Sequence, residues 1–278
     1  MTGTQIGIAA SVVAASGFGI ADFLGGSAAR KSSAIPVAAR VQAIGLVVLL
    51  LAAIVFEAPV TVSALLLGAL GGLSSAAGLA LLYRALVRGG MGVTIGLGSV
   101  VVALTTLLSD ALLRGDVPSA VQLIGVASAI AATLLASARR GQPGGVGSVG
   151  LAIMAGLGFG VALVFLDRAA ETSPLWGLAA ARGTGTVLLV ALVGGAWPAH
   201  RQEWRPVVGA GLLDAGASTL FIGSFILIPV GISTAVSAAA TPLVPMALAW
   251  FILDERVSRS GALAVALACL GIALIAVG

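Results

Sequence analysis

The feature that most constrains this chain is a succession of ten apolar runs, each about 20 residues long, separated by short polar connectors. A run of this length crosses the hydrocarbon core of a bilayer as an α-helix. Helices are favoured because backbone polar groups in lipid must be satisfied within their own segment, and strands of a membrane barrel would show alternation over about 10 residues. The runs extend over Thr4–Leu24, Ala34–Phe56, Val62–Leu82, Met91–Leu113, Ser119–Ser137, Ser148–Leu166, Leu175–Ala196, Pro206–Ile228, Gly231–Leu253 and Ser260–Val277.

The composition agrees with a protein that lies almost wholly within a membrane. Hydrophobic residues make up 59% of the chain and charged residues 9%, whereas a soluble domain has roughly 45–50% apolar residues and about 25% charged ones. No soluble interior hides so much apolar surface, and disordered chains are poor in apolar residues. The sequence therefore excludes a soluble enzyme and predicts an all-α polytopic membrane protein with ten transmembrane helices.

The two halves of the chain resemble each other at an offset of about 140 residues, which indicates an internal duplication. Gly17–Gly19 recurs as Gly158–Gly160, and Ala38–Arg40 recurs as Ala180–Arg182. We predict two five-helix repeats, residues 1–140 and 146–278. Because five is an odd number, the second repeat enters the membrane from the opposite side. This is the inverted-repeat arrangement of many secondary transporters, whose halves rock about a cavity near the midplane.

The distribution of basic residues favours one orientation in the membrane. Connectors after the odd-numbered spans hold most of the Lys and Arg residues, whereas those after the even-numbered spans hold only Arg114 and Arg168. The positive-inside rule then places the odd-numbered connectors in the cytoplasm and both termini outside.

Several short motifs give the chain a resemblance to a known family. They are Gly17-Phe18-Gly19-Ile20-Ala21-Asp22-Phe23 in span 1, Arg40 in span 2, Tyr83-Arg84-Ala85-Leu86 closing span 3, Thr241-Pro242 with Pro245 in span 9, and Leu253-Asp254-Glu255-Arg256 after it. The pattern resembles the ten-span EamA-type family of the drug/metabolite transporter superfamily. The first half departs from it, because Gly98–Val101 stands where a proline is common and Asp116 replaces a glutamate. The resemblance implies cytoplasmic termini, opposite to the charge distribution, so both orientations stay open.

Asp214 is the deepest ionisable residue of the sequence. It lies about eight residues, or roughly 12 Å, into span 8, and no basic residue lies within a helical turn of it. An ionisable group at a helix centre costs about 2.5–3.5 kcal/mol on insertion scales, so it is a functional candidate by default. Asp214 is either a protonatable group that lines a cavity or a carboxylate bonded to a neighbouring helix.

Asp22, at the end of span 1, and Arg40, at the start of span 2, are expected near the same membrane face. They form either a structural ion pair or a site where Arg40 binds a substrate carboxylate, for which its planar guanidinium is suited. Arg182 repeats Arg40 in the second half, with Asp167 as its expected partner. Tyr83, Thr241 and Trp250 complete the candidate substrate-binding or coupling residues.

Two prolines in span 9, Pro242 and Pro245, lack a backbone donor and clash with the preceding turn. They predict a break near Val236–Thr241 that turns carbonyls toward a cavity. Gly96 and Gly98 lie at the corresponding level of span 4, so we expect a hinge in each half. Close helix packing is the alternative role for these glycines.

Other chemistries find no support in the sequence. One cysteine, Cys269, and one histidine, His200, exclude a Cys/His metal cage, and we expect no cofactor, catalytic residue, metal or nucleic-acid partner.

The leading hypothesis is a multi-pass secondary transporter of the cell membrane, a monomer or homodimer among lipids. It exports small amino-acid-like or other polar or amphipathic solutes by alternating access. The alternatives are a sugar or nucleoside uptake permease, with Asp22, Gln42 and Tyr83 as hydrogen-bond partners, and a non-transporting assembly or lipid-handling subunit.

Overall fold

The computed structural model describes residues 3–56, 58–89, 91–114, 119–121, 123–125, 127–128, 131, 145–194, 204–228, 230–241, 244, 248, 252 and 259–277. Within these residues the chain forms long α-helices and no strand. The helices are α1 (Gly3–Lys31), α2 (Ala34–Val55), α3 (Val62–Arg88), α4 (Met91–Arg114), α5 (Gly145–Ala170), α6 (Pro174–Val193), α7 (Trp204–Ser224), α8 (Val230–Ala240) and α9 (Arg259–Val277).

The helices confirm an all-α polytopic membrane protein. Seven of those described, α1 to α7, are long and apolar enough to cross a membrane. Helices α1 to α4 correspond to predicted spans 1 to 4, α5 to α8 to spans 6 to 9, and α9 to span 10. Most of span 5 and the later part of span 9 lie outside the described residues.

Three helices continue past the ends that the apolar runs predict. Helix α1 reaches Lys31, α3 reaches Arg88 and α5 reaches Ala170. Basic side chains in the last turn of a helix interact favourably with its terminal carbonyls, so a polar residue there does not end the helix. Arg30 also joins two helix ends: its Nε donates to the carbonyl of Leu86 and its NH2 group to that of Gly89, both at 2.9 Å.

Contacts between connectors define two faces of the bundle. On face A, the α2–α3 and α5–α6 connections meet. There the indole of Trp176 donates to the carbonyl of Ala58 at 2.9 Å, and the hydroxyls of Thr61 and Thr172 are 3.0 Å apart. Face B lies at the other end, where α1 ends beside α3 through Arg30. Helices α1 and α3 therefore run from face A to face B, whereas α5 and α7 run in the opposite direction.

Helices of the first half of the chain pack on helices of the second half in corresponding pairs. The most extensive contacts within a pair are those of α3 with α5 and of α1 with α7, and α2 also packs on α6. If α1 is exchanged with α5 and α3 with α7, the pair α3–α5 becomes the pair α7–α1. If α2 is likewise exchanged with α6 and α4 with α8, the pairs α2–α6 and α4–α8 stay the same.

Small residues bring α3 and α5 into close contact. A Cβ atom added at Gly158 would lie 3.0 Å from the Cα of Gly78 and 3.0 Å from the carbonyl oxygen of Ser74. The Ser74 hydroxyl donates to the Gly158 carbonyl at 2.8 Å. Glycine at such positions lets two helix backbones approach closely in a membrane, where packing drives association.

Candidate functional site

A cavity of about 200 Å³ lies at the centre of the bundle. Each helix from α1 to α8 contributes lining residues, and Thr241 adds to them just after α8. These helices correspond to predicted spans 1–4 and 6–9. Asp214, which lines the cavity, is midway along α7, so the cavity extends to the middle of this helix.

An ion pair in the cavity joins α6 and α7. The guanidinium of Arg182 lies 2.5 Å from the carboxylate of Asp214, and the two side chains are 13% and 21% exposed. Arg182 also donates to the side-chain oxygen of Gln42 on α2 at 2.5 Å and to the hydroxyl of Ser218 at 2.8 Å. Asp214 is thus both a cavity residue and a carboxylate held by a neighbouring helix.

The predicted pair between Arg182 and Asp167 is wrong. Asp167 lies in the last turn of α5, near face A, and lines a smaller pocket beside Arg168. Arg182 is about two turns into α6 from the same face, and this depth brings it level with Asp214.

Asp22 lines the same cavity, on α1. Among the described residues it makes no hydrogen bond or ion pair, and Asp214 lines the same cavity. The predicted pair with Arg40 is wrong. Because α1 continues to Lys31, Asp22 lies about 14 Å from the face-B end of α1, whereas Arg40 lies about 9 Å into α2. Arg40 instead stacks over the ring of Trp204, 5.3 Å from its centroid, and does not line the cavity.

A row of hydroxyl groups on α8 and just after its end forms part of the cavity wall. Thr234, Ser237 and Thr241 are spaced three and four residues apart, so they share one helix face. Thr234 is 1% exposed, and its hydroxyl has no hydrogen-bond partner in the part of the chain that the structure describes. Such a buried hydroxyl is available to a bound solute.

Helix α8 ends at Ala240, directly before Thr241 and Pro242, within the segment where the prolines predict a break. Of the two glycines in span 4, Gly98 lines the cavity and Gly96 is buried without lining it. Pro242, Pro245 and Trp250 lie outside the described residues.

The wall formed by α3 and α5 is largely apolar. Leu79, Leu82, Phe159, Leu163 and Leu166 lie there, whereas the ionisable side chains lie on α1, α6 and α7. The cavity is therefore amphipathic, with charge and hydrogen-bonding groups on one side and aliphatic or aromatic surface on the other.

Tyr83 lies in the hydrophobic core and not at the cavity surface. It is 1% exposed and packs against Gly25 of α1, where a Cβ atom would overlap the tyrosine hydroxyl. Gly25 is thus required for the close approach of the Tyr83 ring to α1.

Three buried serines, missed in the sequence analysis, lie on the face-A side of the cavity. The hydroxyl of Ser11 on α1 is 3.2 Å from that of Ser224 and 2.9 Å from that of Ser233, and the latter two are 2.6 Å apart. This serine cluster joins α1, the end of α7 and the start of α8. Single serines in long apolar runs gave no signal that they meet.

No group of His, Cys, Asp or Glu side chains that could hold a metal ion occurs among the described residues.

Comparisons with known proteins agree with this architecture. A solved crystal structure of a protein is similar over 96% of this chain and 96% of its own, with a TM-score of 0.65 and 22% sequence identity, which shows a shared fold. No curated protein matches the sequence. The model of the EamA-like transporter family matches residues 147–277, which extend from α5 to the end of α9. Residues 147–277 of this multi-pass membrane protein are thus similar to the EamA-like transporter family, which is part of the drug/metabolite transporter superfamily.

Proposed function

We propose that the protein is a secondary transporter that moves small amphipathic solutes across the cell membrane by alternating access. The observation that carries this proposal is the central cavity, which eight helices line. Its described lining includes three ionisable side chains, Asp22, Arg182 and Asp214. Ionisable groups are costly in this position and mark solute or ion pathways.

The moving parts in this proposal are the two five-helix repeats, residues 1–140 and 146–278. The exchange pattern of helix contacts, in which α3–α5 corresponds to α7–α1, supports a twofold relation between them. Rocking of one repeat against the other would open the cavity first to one face and then to the other. The serine cluster would have to separate when the cavity opens toward face A.

The amphipathic lining favours a solute with one polar and one apolar end over a sugar or nucleoside. A polyhydroxylated solute needs hydrogen-bond partners all round, since an unsatisfied polar group in an apolar site is costly. The wall at Leu79, Phe159 and Leu163 offers none. Of the residues proposed as sugar ligands, Gln42 already accepts from Arg182, and Tyr83 lies in the core.

Export is the direction in this proposal, and a transmembrane gradient is the energy source. A volume of about 200 Å³ suits a small solute, since pockets for drug-sized ligands occupy ~300–1,000 Å³.

Reconstitution into liposomes tests the proposal. The purified protein should exchange radiolabelled small amphipathic solutes across the bilayer faster than protein-free liposomes do. Ser99 lines the cavity from α4, so the Ser99→Phe variant should fill the pathway and lower exchange at least about tenfold.

Ala77→Phe is the matched control, because Ala77 is exposed on α3 and does not line the cavity. It should retain exchange, and size-exclusion profiles should show that both variants fold. Exchange by Ser99→Phe at the rate of Ala77→Phe, or no exchange by the folded parent across a broad panel, would contradict the proposal.

A further inference from the structure

The described lining of the cavity holds one more acidic side chain than basic side chains. Asp22, Arg182 and Asp214 are the ionisable side chains among its described lining residues. Arg182 is paired with Asp214 at 2.5 Å, so these two charges compensate each other. With all three groups ionised, the formal charge of one arginine and two aspartates is −1, and the uncompensated carboxylate is that of Asp22.

Nearby arginines do not neutralise Asp22. Arg30, about two turns further along α1, donates to the carbonyls at the end of α3. Arg40 stacks over Trp204. The terminal nitrogens of Arg182 contact Asp214, Gln42 and Ser218. In the described part of the chain, Asp22 makes no ion pair with any of them.

The surroundings of Asp22 suit a cation with an apolar body. Phe18 lies one helical turn before Asp22 and lines the cavity, and its ring meets that of Phe221 edge to face, with centroids 5.8 Å apart. Aromatic rings attract cations, the more strongly where water is excluded. An anionic solute would meet two carboxylates and an arginine whose terminal nitrogens are already engaged.

We infer that Asp22, together with the rings of Phe18 and Phe221, forms an ammonium-binding subsite, and that the solutes carried are small organic cations, amines with an aromatic or aliphatic body. This inference rests on the proposed transport function and narrows its substrate class. The ammonium group would neutralise Asp22, and the apolar body would lie against the α3–α5 wall at Leu79 and Phe159.

Three probes of one skeleton test the inference: 2-phenylethylamine, the neutral 2-phenylethanol and the anionic phenylacetate. Isothermal titration of the detergent-solubilised parent protein at neutral pH should give the amine an affinity at least about tenfold above that of the alcohol, with phenylacetate weakest. In Asp22→Asn the advantage of the amine over the alcohol should disappear, whereas the affinity for the alcohol should change less than about threefold.

Glu171→Gln is the matched control, because it removes a carboxylate from an exposed position next to face A. It should keep the preference for the amine. Equal binding of the three probes by the parent, tighter binding of phenylacetate, or an amine preference that survives Asp22→Asn in folded protein would overturn the ammonium subsite. Those outcomes leave the transport proposal standing, since that proposal fails only if no solute is exchanged or if a blocked cavity exchanges normally.

Discussion

Arg182 and Asp214 form an ion pair between neighbouring helices, with 2.5 Å between guanidinium nitrogen and carboxylate oxygen, in the middle of a chain with few charges. Neither residue has an opposite charge within a turn of its own helix. Each is therefore tolerated in the membrane because the other is there, and the pair fixes how α6 and α7 are rotated relative to each other.

Removing one member of this pair should destabilise the protein strongly. Arg182→Gln leaves the carboxylate of Asp214 without an opposite charge in a poorly solvated site. Asp214→Asn leaves the guanidinium of Arg182 in the same situation. Breaking a buried pair in this way costs about 3–5 kcal/mol. Thermal denaturation in detergent should show a large fall in Tm for each single variant and a partial recovery in the double variant.

The exposed pair between Arg168 and Glu171, whose side chains are 40% and 57% exposed, is the control. Surface pairs contribute about 0–1 kcal/mol, so Glu171→Gln should leave Tm nearly unchanged. Equal effects of Glu171→Gln and Asp214→Asn would show that the central pair has no special structural role.

Cross-linking the serine cluster should arrest transport. The hydroxyls of Ser11 and Ser233 are 2.9 Å apart, and Cys269→Ser gives a background without native thiols. In this background the S11C/S233C protein should form a disulfide on mild oxidation and lose solute exchange, because α1 and α8 can no longer separate. Reduction should restore exchange. Full exchange by quantitatively cross-linked protein would show that the cluster does not open during transport.

Close approach of α3 and α5 should make Gly158 intolerant of a methyl group. Alanine in place of glycine gains about 1 kcal/mol in helix propensity, but overpacking typically costs about 1–3 kcal/mol. Here the obstructing atoms are backbone atoms at 3.0 Å. Gly158→Ala should therefore lower Tm. Gly150→Ala on the same helix, where nothing lies within 4 Å of the added Cβ, should keep or raise it; identical Tm changes would argue against so close a crossing of α3 and α5.

Arg40 is expected to stabilise the bundle without contacting solute. Its guanidinium stacks over Trp204, a contact worth about 0.5–1 kcal/mol at an exposed site, and it does not line the cavity. Arg40→Gln should lower Tm slightly and leave the affinity for transported solute within about twofold of the parent. A tenfold loss of affinity at unchanged Tm would restore the hypothesis that Arg40 binds substrate.

Run length was enough to predict the helices that the structure describes, and depth along span 8 singled out Asp214, which lines the cavity. The partners of Asp214 and Asp22 could not be predicted, because pairing depends on how each helix is rotated about its axis. In a soluble helix an apolar stripe reveals the buried face; in lipid both faces are apolar, so the sequence of α6 carries no comparable signal. The wrong Asp22–Arg40 pair has a second cause, since α1 continues to Lys31 and carries Asp22 deeper than its apolar run suggested.

Accessibility of Thr234 from the two sides of the membrane tests alternating access most directly. In the Cys269→Ser background, Thr234→Cys should react with a membrane-impermeant thiol reagent in right-side-out and in inside-out vesicles. Thr234 lines the cavity, and the cavity opens to each side in turn. Val37→Cys, at a core position that is 0% exposed and outside the cavity, should react in neither. Labelling of Thr234→Cys from one side only, or from neither, would contradict the account.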